Sequence, residues 1–331
     1  MKKRIAIITG GDSGEYEISI KSGMVVSESF DKAVYNPLVI QVKGDDWFYE
    51  SDAGKFPVDK TDFSLTYDGE KICFDAVFCA IHGTPGEDGK MPAYFEMMNI
   101  PFTASGSIAS ALTFDKNLCN RVVASYNFQV SPSVHYYKGD AIDVDEIASE
   151  LSFPVFVKPN CGGSSVGMSK VNTVGDLDAA IQKAFAEDDE ILIEQFVDGR
   201  ELTCGIVSHL GKMYVFPLCE IVSKKEFFDF EAKYDPALAE EIVPAPIPLD
   251  LETEIKSTSA VLYKKLNCRG VVRFDYIYSD DEDELVFLEV NTVPGLSKES
   301  IVPKMAQEMD ISLQQLFSMM VEDAVWRNDN S

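Results

Sequence analysis

Arg273 and Asp275 lie two residues apart, and so do Glu289 and Asn291. Side chains two apart on a β-strand share a face. The runs 271–278 and 285–291 are apolar and rich in β-branched and aromatic residues, and the polar stretch 279–284 between them is a turn signal. A hairpin folded about Glu282 sets Asp275 opposite Glu289 and Arg273 opposite Asn291. Two carboxylates and an amide oxygen then converge beside one guanidinium. Such a set suits Mg²⁺ carrying phosphate, because small hard cations take carboxylate, carbonyl and phosphate oxygens. A surface hairpin with stray charges is the plainer reading. Asn291, between Val290 and Thr292 in an otherwise apolar strand, speaks against it.

A second chemical stretch is Lys158 followed by the glycine-rich run 160–167, NCGGSSVG. Its glycines let backbone approach phosphate oxygens, Ser164 and Ser165 add hydroxyl donors, and Lys158 can neutralise charge. No G-x-x-x-x-G-K-[ST] element is present, and no G-x-G-x-x-G opens a helix. A nucleotide would therefore need another cradle, and this hairpin can serve. Gly163 to Gly167 also fits G-x-S-x-G, the nucleophile-elbow pattern of serine hydrolases. That elbow needs a helix directly after the serine and a histidine downstream. Here a strand follows, and the only downstream histidine is His209. A third class, a nucleotide-binding protein without catalysis, would keep a base site but lose metal or substrate residues.

The elements that position these residues read as α/β. A buried strand over 4–9 leads into a flexible loop at 10–14, a helix over 17–30 and a strand over 37–42. Another strand over 75–81 ends in the polar loop 82–89. This is βαβ logic with a parallel sheet, and ligands sit beyond the carboxyl ends of such strands. Next come a hairpin of strands 155–158 and 168–171, a helix over 174–186 and a strand over 191–195. Strands over 202–208 and 213–218 precede a long irregular segment, 223–248; loops of that length are usually functional.

The 331 residues, 46% of them hydrophobic, support two or three domains. A net charge of −26 argues against nucleic acid or anionic membrane as a partner, so cations for a polyphosphate must be placed individually. Seven cysteines, with no C-x-x-C pair, indicate a reducing compartment. The apolar run after Met1-Lys2-Lys3-Arg4 is too short for a signal segment, and no run of 18 apolar residues occurs. A cytoplasmic protein is expected.

With these stretches in hand, the chain resembles the D-alanine-D-alanine ligase family of the ATP-grasp superfamily, from Gly10 to about Val321, with several separate motifs in the family's order. The resemblance implies three α/β parts: an N-terminal parallel-sheet substrate domain over 1–104, a central lid domain over 105–195 and a C-terminal catalytic domain over 196–331. It implies that Glu15 meets the ammonium of the first D-alanine, and that His82, in the H-G-x-x-G-E-D-G loop, lies near the substrates. Lys116 and Lys158 match the ATP-binding lysines. Glu194 and Val197 match the adenine hinge, and Glu201 the ribose site. Lys233 matches the residue that reaches the γ-phosphate. Ser164 and Tyr234 join Glu15 in a hydrogen-bonded set, which points to dipeptide rather than ester-linked products. Arg273 and the Gly295 amide match the oxyanion groups. Ser300 matches the hydroxyl for the second carboxylate, and Asp275, Glu289 and Asn291 match the metal ligands. ATP as substrate, Mg²⁺ with Mn²⁺ as a substitute, and a homodimer follow as expectations. Ligases that make D-alanyl-D-lactate or D-alanyl-D-serine are the alternatives within the family. The chain departs from the pattern at Pro92-Ala93, where Gln-Gly is common, at Cys161-Gly162, where Arg-Glu is frequent, and at Gln195, often Lys.

Overall fold

The computed structural model describes residues 2–223 and 239–330. Its N-terminal part starts with strand β1 (Lys3–Gly10), helix α1 (Tyr16–Ser29) and strand β2 (Tyr35–Lys43). Strands β3 (Asp46–Ser51), β4 (Gly54–Asp59), β5 (Ser64–Tyr67), β6 (Glu70–Ile72) and β7 (Ala76–Cys79) follow. They form one seven-stranded sheet in the order β6-β5-β4-β3-β2-β1-β7. The expected parallel sheet holds for β2, β1 and β7. Strands β3 to β6 add an antiparallel wing. The joins at Gly44-Asp45, Asp52-Ala53 and Asp68-Gly69 are two residues long, which allows only antiparallel neighbours. Asp68 and Gly69 both have positive φ, as a tight hairpin turn requires.

Helices α2 (Lys90–Met98), α3 (Ser107–Phe114) and α4 (Lys116–Ser125) lead to a second sheet. It is built from β8 (Ser133–Tyr137), β9 (Val155–Pro159), β10 (Ser169–Val171) and β11 (Glu190–Gln195), ordered β10-β9-β11-β8 and antiparallel throughout. Helices α5 (Val144–Glu150) and α6 (Leu177–Ala184) cover one face, and this unit has its own apolar cluster. The helix expected over 174–186 is shorter: a 3₁₀ turn, Val174–Asp176, precedes α6. Pro92 does not delay α2. It occupies the third helical position, where the missing N–H has no intrahelical acceptor to lose.

The third sheet holds β12 (Arg200–His209), β13 (Lys212–Val215), β14 (Cys219–Ser223), β15 (Ala239–Ile242), β16 (Val271–Ser279) and β17 (Glu284–Asn291). Helix α7 (Leu249–Lys265) packs on one face, while α8 (Ile301–Gln307) and α9 (Leu313–Asp329) contribute to the cluster on the other. Two expectations needed correction here. The strand over 213–218 stops at Val215, before Pro217, and β14 is a separate strand pairing the other end of β12. The segment 223–248 is not wholly irregular, since β15 pairs β14.

The N-terminal and C-terminal parts share a core. Phe317 of α9 stacks edge-on against Phe78 of β7, with ring centroids 5.4 Å apart, and packs in one cluster with Val207 and Val271. Loop 82–89, beyond β7, is thereby fixed beside the residues that follow β17.

Candidate active site

The β16–β17 hairpin has the expected register at its polar end: Arg273 pairs with Asn291 and Asp275 with Glu289. Below this point the register slips by one, because a bulge leaves Leu288 unopposed between Asp275 and Tyr276. Arg273 forks onto Asp275, with Nε donating to Oδ1 at 2.9 Å and Nη2 to Oδ2 at 2.8 Å. Burial works against the guanidinium charge, but the Asp275 carboxylate outweighs it and holds the Arg273 pKa above its usual value. The Asn291 amide donates to Asp275 Oδ2 at 3.1 Å and to Glu289 Oε1 at 3.4 Å. Among the described residues no three His, Cys, Asp or Glu side chains cluster as a self-sufficient metal site. The donor set here is two carboxylates and, with its amide turned to present Oδ1, Asn291. It fits a hard cation whose remaining ligands come from phosphate or water. Thr203 of β12 pairs with Asp275 on the same face. It is fully buried, and its hydroxyl has no partner among the described residues.

Glu15 stands at the N-terminus of α1, where a carboxylate complements the helix dipole. Ser164 donates its hydroxyl to Glu15 Oε1, so the glycine-rich loop reaches across to the N-terminal part. Ser164 and Ser165 both adopt left-handed backbone. His82 is buried. Its Nδ1–H donates to the Val293 carbonyl at 2.9 Å, which makes Nε2 the acceptor for Ser22 Oγ, also at 2.9 Å. Burial lowers the His82 pKa, consistent with this neutral ring.

Glu87 links the two halves of the cleft. Its carboxylate accepts from Gly83 N at 2.7 Å and from Val293 N at 3.2 Å. Desolvation, reinforced by Glu15 and Glu289, pushes its pKa up to about 8. A carboxylate raised in the folded state favours folding most below its unfolded pKa near 4.5, and that contribution is lost as pH climbs towards 8. Glu87→Gln should therefore gain on the parent between pH 5 and pH 8, read as the difference in thermal midpoint at each pH. A constant difference would show that Glu87 does not titrate in this window.

At the nucleotide end, Lys116 Nζ donates to the Gly162 carbonyl at 2.7 Å. Lys158 Nζ meets Glu194 Oε2 at 2.5 Å, and Asn120 Nδ2 donates to Glu194 Oε1 at 3.0 Å. Lys158 and Glu194 face away from the lid core because Val155, Val157, Ile191 and Ile193 take the opposite face of β9 and β11. Val197 follows β11 partly buried, and Glu201 lies on β12 two residues before Thr203. Gly295 approaches Ser300 so closely that a Cβ there would meet its Oγ at 2.7 Å. Ser300 precedes α8 and shares a hydrogen bond with Ser297 at 2.8 Å. Lys233 and Tyr234 lie outside the described residues.

No residue pattern marks Asn120 or Thr203 as a site residue, and Glu87 stands out in the sequence only as part of the H-G-x-x-G-E-D-G loop. The serine-hydrolase alternative fails on geometry: a turn and then β10 follow Ser165, and His209 is held by Glu322 of α9 at 2.9 Å.

Three α/β sheets, with a glycine-rich loop reaching over a cleft of paired carboxylates and lysines, define an enzyme of ATP-grasp type. Residues 4–105 match the family described as D-ala D-ala ligase N-terminus, and residues 123–322 match D-ala D-ala ligase C-terminus. The chain belongs to the D-alanine-D-alanine ligase family. It is 44% identical over 321 residues to a D-alanine--D-alanine ligase of Flavobacterium johnsoniae, covering 97% of this chain and 98% of that one. It is 41% identical to the Parabacteroides distasonis enzyme of the same name, covering 98% of each. Among solved structures it is similar to the VanG D-Ala:D-Ser ligase from Enterococcus faecalis, with a TM-score of 0.86 at 30% identity, covering 98% of this chain and 100% of that one. It is also similar to the Bacillus anthracis D-alanine--D-alanine ligase complexed with ATP, with a TM-score of 0.80 at 28% identity, covering 100% and 99%.

Proposed function

We propose that this chain joins two D-alanines into D-alanyl-D-alanine at the expense of ATP, for peptidoglycan precursors. The observation that supports the reading is the Glu87 bridge, which ties loop 82–89 at Gly83 to Val293, two residues past Asn291, while Ser164 of the glycine-rich loop closes on Glu15. Joining a carboxylate to an amine in water needs an activated acyl group. The carboxylate of the first D-alanine, its ammonium held by Glu15, attacks the γ-phosphorus of ATP and releases ADP, giving an acylphosphate. The amine of the second D-alanine, having lost a proton, attacks the acyl carbon, and phosphate leaves.

In this reading Lys116, Lys158 and Lys233 neutralise phosphate, Glu194 and Val197 take the base, and Glu201 takes the ribose. Arg273 and the Gly295 amide stabilise the oxyanion. His82 holds its loop beside the first substrate, and Ser300 takes the second carboxylate. Tyr234 completes the set with Glu15 and Ser164, and the glycine-rich loop excludes water from the acylphosphate. Asp275, Glu289 and Asn291 would hold Mg²⁺, which when bound offsets charge on the transferred group. The domain limits proposed are 1–104, 105–195 and 196–331, in a cytoplasmic homodimer. Among the described residues no helix is long and apolar enough to cross a membrane.

Phosphate release from ATP should require Mg²⁺ and D-alanine together, and should be weak with L-alanine. Assays with D-serine and D-lactate separate the relatives that differ in second substrate. ATP-independent ester hydrolysis that Ser165→Ala abolishes would overturn the ligase reading.

A further inference from the structure

Asn120 is 3% exposed, and its amide oxygen has no hydrogen-bond partner among the described residues. The amide cannot turn over to mend this, because its NH₂ already donates to Glu194 Oε1 at 3.0 Å. Reversed, it would set two acceptors against each other. The orphaned oxygen is therefore a consequence of holding Glu194. Glu194 is itself 4% exposed, and its other oxygen is taken by Lys158 at 2.5 Å. Asn120 lies four residues after Lys116 on α4, so the two share a helix face, and both reach the lid unit: Lys116 at Gly162, Asn120 at Glu194. Asn120 is thus set among the groups that the proposed function assigns to the nucleotide, and the inference rests on that reading.

We infer that Asn120 is a positioning residue for recognition of the purine base: it fixes the Glu194 carboxylate between α4 and β9, and its free amide oxygen adds a second acceptor beside it. Each Glu194 oxygen keeps a lone pair after its present bond, so the carboxylate can still accept from an exocyclic amine. A pair of acceptors fixed in place suits the amino group of adenine. The same pair, being acceptors, opposes the carbonyl that guanine carries at that position. Lys158 balances the Glu194 charge on one side, and Asn120 orients it on the other without adding charge.

The test uses the full-length protein and two variants. Asn120→Leu removes both polar ends at similar volume. Asn120→Asp keeps the shape but sets an anion against Glu194. ADP and GDP binding are measured by calorimetry without turnover, with kcat, KM for ATP and KM for D-alanine alongside. The parent is expected to prefer ADP. In Asn120→Leu the ADP dissociation constant and KM for ATP should both rise on the order of 10-fold, as for loss of a hydrogen bond to a charged group. Asn120→Asp should lose more, the preference for ADP over GDP should narrow, and KM for D-alanine should stay near the parent's. Unchanged ADP affinity and preference in both folded variants overturns the inference. So does an equal loss for ADP, GDP and D-alanine, which would mark a packing role. Failure of the parent to bind ADP would instead overturn the nucleotide reading.

Discussion

Replacing Glu289 by Gln is expected to slow turnover by about 10²-fold or more while the protein stays folded. The side chain is only half-buried, and the substitution keeps its shape, so little packing is lost. What is lost is one negative charge from a set whose members are held in register: Glu289 faces Asp275, and the Asn291 amide bridges both carboxylates. Asp275 shares its charge with the Arg273 fork, so the pull of this set on a cation depends on both carboxylates, and neutralising Glu289 weakens it. The variant should need more Mg²⁺ for half-maximal rate and should not regain the parent's rate at saturation. ADP affinity measured with and without Mg²⁺ gives a second readout, since the gain from the metal should shrink. Near-normal turnover at saturating Mg²⁺ would remove this hairpin from the chemistry.

That hairpin was legible from sequence for a physical reason. Two apolar runs joined by a short polar stretch leave few registers, and strand alternation then decides which polar residues share a face. The bulge at Leu288 was not legible, because one unopposed residue leaves the alternation on each side intact. It does not disturb the Asp275–Glu289 pair, since it falls on the turn side of it. The antiparallel wing over β3 to β6 escaped because its strands are short and lack a clean apolar–polar alternation, with exposed residues interrupting the pattern. Glu87 and Asn120 escaped for another reason. Their decisive partners, Val293 and Glu194, are 206 and 74 residues away, and no local pattern encodes such contacts. Only the folded chain reveals that an acid in a polar loop ties two domains' worth of residues together. The expected roles of Lys233 and Tyr234 rest on family resemblance alone.

Gly163→Val tests the other side of the cleft, and turnover should fall on the order of 10²-fold. The reason is space. A Cβ on Gly163 would lie 2.6 Å from Glu15 Oε2 and 3.1 Å from its Cδ. The Glu15 carboxylate can swing aside only by giving up the hydrogen bond it accepts from Ser164. Overpacking of this kind costs about 1–3 kcal/mol, enough to hold the loop away from Glu15 in most molecules. The loop would then neither order the Glu15 carboxylate for an ammonium nor shield an acylphosphate from water. Lys158 and Glu194 sit on β9 and β11, outside the loop, so ADP affinity should stay within about a factor of two of the parent. Uncoupled phosphate release, without matching dipeptide, should make up a larger share of the residual activity. Gly175→Ala is the control in the same unit, since a Cβ there meets only Thr173 Oγ1 at 3.8 Å. If Gly163→Val turns over like the control, the loop does not need to close on Glu15. If it loses ADP binding as well, the glycine serves the nucleotide rather than the amino-acid side of the cleft.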